Sequence, residues 1–237
     1  MELNTYTLII PDKADPERDM VADYWIRYGG QVERLGRFWE PPEYLKKTDV
    51  RVYGNEVFCL ILAQKLNLAL VSPPDDLILK LSPKWLGRDI ATCELSSIDN
   101  LPYPIFIKPL APKQFEAKVY TDLASIKNMT NGLPIETKTI TSSIVSFTAE
   151  ARTFVLNNKV LDCEFYEGTG NTDEVIDFVN DLCKDTVLPR TCVIDVGFIA
   201  NSGYAFIEAN STWGAGLNGC RPQKVIPAIF QASHRAY

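Results

Sequence analysis

The stretch Cys192-Val-Ile-Asp-Val-Gly-Phe-Ile-Ala-Asn-Ser-Gly-Tyr-Ala-Phe-Ile-Glu-Ala-Asn210 constrains this chain more than any other. Two apolar, β-prone runs flank Asn201-Ser202-Gly203, a favourable hairpin turn. Ile194, Val196 and Phe198 alternate to one face, as do Ala205, Ile207 and Ala209 on the return strand, and these faces should pack on a core. Asp195 is then left on the other face of the first strand, and Glu208 with Asn210 on the other face of the second. Residues two apart on a strand lie roughly 6–7 Å apart on one side, so Glu208 and Asn210 can share a cation or bind two neighbouring ones. A two-residue turn brings Asp195 to their face; a three-residue turn without a bulge sends it to the opposite one. Three oxygen-bearing side chains without histidine or cysteine suit Mg²⁺. Taken singly, each is more simply a solvated strand residue. The small-residue loop Ser211-Thr212-Trp213-Gly214-Ala215-Gly216 directly after them allows a ligand to approach closely, which favours the joint reading.

The chain holds a single histidine, His234, near its C-terminal end. Histidine-based triads, histidine-rich zinc sites and imidazole acid–base catalysis would all rest on that one residue, so the chemistry falls to lysine, arginine and carboxylates. With 46% apolar and 23% charged residues the chain should form a substantial core. Its formal charge of −6 gives no general attraction to nucleic acid or anionic lipid, so neither is expected as a partner. Met1 to Thr5 lack the basic start of a secretory signal, and the apolar run Val57 to Ala63 is too short to span a bilayer. The expectation is a soluble, cytoplasmic protein with no membrane contact. The six scattered cysteines, without a Cys-x-x-Cys, read as buried reduced thiols.

The first hundred residues read as α/β. Strands are expected at Tyr6 to Ile10, Gln31 to Phe38, Val50 to Tyr53 and Leu68 to Val71. A helix capped by Asp15 carries Met20, Val21, Tyr24, Trp25 and Tyr28 on one stripe, and a second helix runs from Glu56 to Leu66. Two short helices follow, Asp75 to Leu81 and Pro83 to Leu95. Leu101-Pro102-Tyr103-Pro104 marks a boundary, because two prolines in four residues break any regular element. Beyond it the texture is α+β. The strands are Ile105 to Pro109, Glu116 to Tyr120, Pro134 to Val145, Ala151 to Leu156, Lys159 to Phe165, Cys192 to Ala200 and Tyr204 to Ala209. Helices are expected at Thr121 to Met129 and from Asn171 or Thr172 to Lys184, the latter with Val175, Ile176, Phe178, Val179 and Leu182 on one face. The fold class is thus α/β followed by α+β, divided as residues 1–100 and 101–237.

Lys108 ends the apolar strand Pro104-Ile105-Phe106-Ile107-Lys108-Pro109, a position suited to a point charge facing phosphate, although such a lysine is often merely solvated. Four pieces run in order over roughly residues 100–220: Phe106-Ile107-Lys108-Pro109; Lys113-Gln114-Phe115; Glu150-Ala151-Arg152-Thr153-Phe154-Val155; and Asp195 followed by Glu208-Ala209-Asn210 with its trailing Trp-Gly-Ala-Gly. Together they resemble the ATP-grasp superfamily, in particular a compact clade of short ATP-grasp proteins. The preceding α/β segment is similar to the small pre-ATP-grasp domain.

The resemblance implies two lobes holding ATP between them. It implies that Lys108 and Lys113 contact the phosphates and that Ser143, Ile144 and Val145 form the hinge toward adenine. It further gives Glu150 to the ribose hydroxyls, Asp195, Glu208 and Asn210 to Mg²⁺, and Asp195 also to the nucleotide. Arg152, with Lys113, is the candidate catalytic residue, because guanidinium is a bidentate partner for a phosphoryl group or a carboxylate; simple pairing with Glu150 is the plainer alternative. The loop Leu110-Ala111-Pro112-Lys113-Gln114 departs from the family in lacking glycine. The implied activity is ATP-dependent joining of a carboxylate to an amine, on an amino acid, peptide or protein, through an acylphosphate. A phosphotransferase and a non-catalytic nucleotide-binding module are the alternatives. Acceptor specificity would come from the first domain and from Tyr166 to Asn171 and Trp213 to Arg221, and a homodimer is compatible.

Overall fold

The computed structural model describes residues 1–36 and 39–236. The chain divides into two compact units, each assembled from separate stretches: Met1–Pro73, Ala149–Val196 and the segment from Glu208 onward form one, Pro74–Thr148 and Gly197–Ile207 the other. This division interleaves the chain, whereas the cut expected near residue 100 is a single one along it.

In the first unit, β1 (Tyr6–Pro11) is the centre of a parallel sheet of order β2-β1-β3, with Ile9 opposite Glu33 of β2 (Gln31–Leu35) and Val52 of β3 (Asp49–Val52). The end of the expected second strand, Arg37 and Phe38, lies outside the described residues. Between β1 and β2, α1 (Pro16–Arg27) starts where the Asp15 side chain accepts a bond from the Arg18 amide at 3.0 Å and Pro16 supplies a preset first residue. It stops at Gly29, whose φ of 89° a side chain would oppose. Val21, Ala22 and Trp25 face inward, while Met20 is 44% exposed, so the buried stripe is rotated by a residue from the expected one. The second helix, α2 (Glu56–Leu66), has the expected bounds; Asn55 caps it and a left-handed Asn67 ends it before β4 (Leu68–Leu70).

The other unit contains α3 (Leu77–Lys80) and an antiparallel sheet of order β5-β8-β6-β7. Its strands are β5 (Ile90–Glu94), β6 (Ile105–Pro109), β7 (Lys118–Tyr120) and β8 (Lys138–Ser142), with α4 (Leu123–Met129) between the last two. Here the structure corrects the reading of Pro83 to Leu95 as a helix. Pro83–Trp85 is a single 3₁₀ turn, and Leu95 opens another that runs to Asn100. Between them lies β5, paired with β8 and stitched to it by hydroxyls: Thr92 Oγ1 donates to the Thr139 carbonyl at 2.8 Å and Thr139 Oγ1 to the Cys93 carbonyl at 2.9 Å. Sheet pairing here overrides a weak helical spacing. The helix expected at Asp75 to Leu81 contracts to α3, and the strand expected from Pro134 to β8. Ile98, Ile105, Ile107, Tyr120 and Ile126 form this unit's core.

The chain then returns to the first unit with β9 (Ala149–Leu156) and β10 (Lys159–Glu167), joined by Asn157 and Asn158 at φ of 50° and 61°, the two-residue hairpin that positive φ values favour. After α5 (Thr172–Asp185), which buries Val175, Val179, Leu182 and Cys183, come β11 (Thr191–Ile199) and β12 (Gly203–Asn210) in a sheet of order β10-β9-β11-β12. Two further elements escaped the sequence reading, α6 (Pro222–Phe230) and β13 (Ser233–Arg235), the latter antiparallel to β4. Pro222 and Pro227 hide the helix, since the first sits at its start and the second interrupts its bonding. The core of this unit is continuous across the chain: Leu8, Ile10 and Trp25 pack with Phe154, Val193, Leu217, Ile226 and Ile229. Trp213, 5% exposed, donates its indole N–H to the Val71 carbonyl at 3.1 Å and packs among Phe58, Leu62 and Val52.

Among the described residues no helix is long and apolar enough to cross a membrane, and all six cysteines are free, five of them buried. Burial pushes the Cys183 thiol up to about 11 and those of Cys163 and Cys192 up to about 12, which leaves them inert near neutral pH.

α6 is fixed to β10 by one buried carboxylate. Asp162 accepts from the Arg221 amide at 2.8 Å, from Arg221 Nη2 at 2.7 Å and from Lys224 Nζ at 3.0 Å. Burial alone would raise this acid, but these donors hold it below the ordinary carboxylate range. Its contribution is therefore complete above the unfolded pKa and fades as pH falls through the folded one. Asp162→Asn should cost about 2 kcal/mol in urea unfolding at pH 7, and the gap to the parent protein should close as the pH drops below about 4.

Candidate functional site

The hairpin settles the parity left open by the sequence. Three residues, 200–202, separate β11 from β12; the Ser202 amide donates to the Ile199 carbonyl at 2.9 Å, and Gly203 follows at a φ of 82°. The left-handed Gly203, one residue past the amide that closes the turn, supplies the extra step that keeps the face a plain three-residue turn would lose. Asp195 accordingly meets Asn210, whose Nδ2 lies 3.5 Å from Asp195 Oδ2 and donates to Glu208 Oε1 at 2.8 Å. The three side chains expected together are together. Asp195 does not sit on a solvated face, however: it is 2% exposed, and β11 is buried on both sides from Thr191 to Gly197, while Glu208 and Asn210 are half-buried.

Arg152, on the neighbouring β9, explains how a carboxylate persists there. Its Nε donates to Asp195 Oδ1 at 2.9 Å and its Nη2 to Oδ2 at 2.7 Å, a fork-to-fork pair; Nη1 reaches the Gly216 carbonyl at 3.0 Å. The plainer pairing with Glu150 is not the one found. Burial pulls the guanidinium down, yet bonding to Asp195 and its charge leave it above the usual range. Asp195 stands above the ordinary carboxylate range chiefly because it is buried, with Glu208 and Glu150 pushing the same way against Arg152. Glu150 accepts from the Tyr166 hydroxyl at 2.7 Å, and the Tyr166 ring lies 5.9 Å from the Arg152 guanidinium carbon.

Arg152 retains one N–H each on Nη1 and Nη2 beyond these three bonds, and Asp195 Oδ1, which among the described residues accepts only from Arg152, retains a lone pair. Rotating the Asn210 amide half a turn presents its oxygen beside those of Asp195 and Glu208. With the amide so turned, Asp195, Glu208 and Asn210 present only oxygen atoms, a donor set that fits a hard divalent cation such as Mg²⁺. Among the described residues no three His, Cys, Asp or Glu side chains form a metal-binding group, so Asn210 is needed to complete one.

The loop after β12 is held on three sides. The Glu17 carboxylate accepts from the Leu217 and Asn218 amides, each at 2.8 Å; the Tyr53 hydroxyl donates to the Ala215 carbonyl at 2.8 Å; Arg152 holds Gly216. A Cβ on Gly216 would stand 2.7 Å from Glu17 Oε2, so a larger residue there would push that carboxylate away from the loop amides it holds. Beside it opens a cavity of about 160 Å³ lined by Asp15, Glu17, Arg18, Tyr53, Asn55 and the Gly214–Gly216 backbone. Sequence reasoning missed Glu17 and Tyr53, because a glutamate in a helix's first turn and a tyrosine ending a strand look like structural residues. Arg221, the last residue of the stretch from Trp213 expected to set acceptor specificity, is paired with Asp162.

Lys108, Lys113, Ser143, Ile144 and Val145 belong to the other compact unit. Lys108 is half-buried on β6 opposite Ile140, and Lys113 lies exposed in the glycine-free loop at a φ of 65°. The segment after β8 is irregular. Ser143 is already engaged, its amide donating to the Asp89 carbonyl at 3.0 Å and its hydroxyl accepting from the Asp89 amide at 3.1 Å. Ile144 is 50% exposed, an apolar side chain offered to whatever lies over it.

A family model described as an ATP-grasp domain, family 2 of its clade, matches residues 85–228, more than half of the chain. No curated protein matches it. Solved structures similar to it include the RimK domain ATP-grasp protein of Sphaerobacter thermophilus, at a TM-score of 0.61 and 12% identity over 95% of this chain and 96% of that one. The D-alanine–D-alanine ligase of Bacillus anthracis complexed with ATP gives 0.57 and 11%, over 96% of each chain. The L-amino acid ligase of Bacillus licheniformis gives 0.59 and 12%, over 97% of this chain and 75% of that one. The resemblance in fold is thus shown, across nearly the whole chain.

Removing Arg152 would strand the Asp195 carboxylate in a dry, electronegative place. Arg152→Met should cost about 3–5 kcal/mol in denaturant unfolding. Adding Asp195→Asn should recover part of that loss, and strict additivity in the double-mutant cycle would contradict the pairing.

Proposed function

Because this chain belongs to the ATP-grasp domain family whose model it matches, we propose that it is an ATP-dependent carboxylate–amine ligase acting on an amino acid, peptide or protein. The observation that carries this reading is the cluster of Arg152, Asp195, Glu208 and Asn210, built on a fork-paired carboxylate that is 2% exposed, a desolvated charge that a pure scaffold does not need. The kinship in fold to the two amino-acid ligases supports the same direction. Residues 1–100 would accompany the ATP-grasp region as its small preceding domain.

Asp195, Glu208 and Asn210 would hold Mg²⁺, which when bound neutralises phosphate charge. Lys108 and Lys113 would meet the phosphates by side-chain charge, Lys113 standing in where the loop offers no glycine amides. Ile144 and Val145 would cover adenine; Ser143, its amide already spent on Asp89, would contribute by placement alone. Glu150 would accept from the ribose hydroxyls. Arg152, anchored by Asp195, would turn its two remaining N–H groups to the transferred phosphoryl group or the substrate carboxylate. The γ-phosphorus–oxygen bond to ADP breaks as a carboxylate oxygen bonds to phosphorus, giving an acylphosphate. The amine nitrogen then attacks the acyl carbon, phosphate leaves, and the nitrogen loses a proton. Catalysis by placement and charge needs no histidine. The cavity beside Gly214–Gly216, with carboxylates and Arg18 on its walls, is a fitting place for a small zwitterionic substrate.

Titration calorimetry should show magnesium-dependent ATP binding that Glu208→Gln weakens at least tenfold, one charged ligand being worth at least about 1.4 kcal/mol. If the parent protein fails to bind ATP with Mg²⁺, the reading is wrong. ADP release screened over amino acids and short peptides should appear only when both carboxylate and amine are present, with an amide seen by mass spectrometry. A stable phosphate ester would instead assign a phosphotransferase.

A further inference from the structure

Tyr166 occupies a place that regular strand pairing would not give it. On β10, Glu164 lies opposite Arg152 and Phe165 opposite Ala151, but Glu167, not Tyr166, lies opposite Glu150. Tyr166 is the extra residue of a β-bulge. Strand alternation puts its side chain on the face of Glu164, the face that Arg152 and Glu150 share, while the bulge frees it from being the ladder partner of either. The phenol therefore reaches diagonally to Glu150 Oε2 at 2.7 Å, and the ring lies 5.9 Å from the Arg152 guanidinium carbon. Burial, then the bond to Glu150, push the hydroxyl far above the ordinary tyrosine range, so it stays protonated and donates. The side chain is nevertheless 38% exposed, so core packing does not account for its placement. Among the described residues the other Glu150 oxygen, Oε1, accepts no hydrogen bond.

We infer that Tyr166 is a positioning residue for the nucleotide: it pins one oxygen of Glu150 and thereby presents the other to the ribose hydroxyls. This rests on the proposed role of Glu150. A free glutamate must surrender its rotamer freedom when a ligand binds, whereas one already held has done so beforehand. The sequence analysis places Tyr166 only at the start of a stretch for acceptor specificity and gives it no part in holding the nucleotide.

The test is titration calorimetry of ATP and 2′,3′-dideoxy-ATP, each with Mg²⁺, against the parent protein, Tyr166→Phe and Glu150→Ala. Phenylalanine keeps the ring beside Arg152 and removes only the hydroxyl. Tyr166→Phe should weaken ATP binding about five- to tenfold, the size of one ordinary hydrogen bond, and weaken binding of the dideoxy analogue less than about twofold. An equal loss for both nucleotides, no loss for either, or a lowered Tm with an unchanged nucleotide ratio overturns the inference. Glu150→Ala separates the two layers. If it abolishes the preference for ATP over the analogue while Tyr166→Phe leaves it intact, only the positioning role fails. If Glu150→Ala also leaves that preference intact, the ribose role of Glu150 fails and the inference with it.

Discussion

Arg152 and Asp195 meet through two parallel hydrogen bonds in a place almost closed to water, and the candidate site is arranged around that pair. A carboxylate buried beside two others is an unstable thing to build; alone it would take up a proton. The guanidinium keeps it charged, aligns β9 with β11, and uses a further N–H to hold the loop after β12 through Gly216. Stability and function are therefore entangled here. The pair need not add net stability over an apolar replacement, so its presence is better understood as preserving an oriented negative group next to Glu208 and Asn210.

Around this pair the remaining contacts form a chain of restraints on small groups. Glu17, Tyr53 and Arg152 each take a backbone group of the Gly214–Asn218 loop, fixing a segment whose glycines would otherwise leave it floppy. Tyr166 fixes Glu150. Such preorganisation matters most for chemistry that proceeds by placement and charge neutralisation, because restraints present before the ligand arrives need not be imposed by it.

Much of this was legible in the chain and some was not, for physical reasons. β1, α2, β6 and the β11–β12 hairpin declare themselves by local pattern, and α2 falls on its expected bounds. The site carboxylates were legible as a group, because alternation along a strand is a local property. The burial of Asp195 was not, since it depends on β9 lying beside β11 and bringing to it an arginine 43 residues away in sequence. β5 was misread for the same reason: its stability lies in pairing with β8 and in threonine hydroxyls that no local pattern reveals. α6 was hidden by its own prolines. The partners of Arg152 and Glu150 could not be foretold, because two acids and one arginine near one another admit several pairings and only the sheet chooses.

The closing of the first unit by the segment after β12 carries a consequence for how the protein is made. Trp213 bonds to Ser72 and Val71, β13 pairs with β4, and Arg235 donates to the carbonyls of Leu45 and Thr48, contacts that span 141 to 190 residues. A ribosome adding roughly 5–20 residues each second needs about ten to forty seconds to travel that far. Throughout that interval the opening α/β segment is outside the tunnel without the residues that cover its sheet and complete its core. It must wait in an open form with its apolar surface uncovered until Trp213, α6 and β13 have emerged.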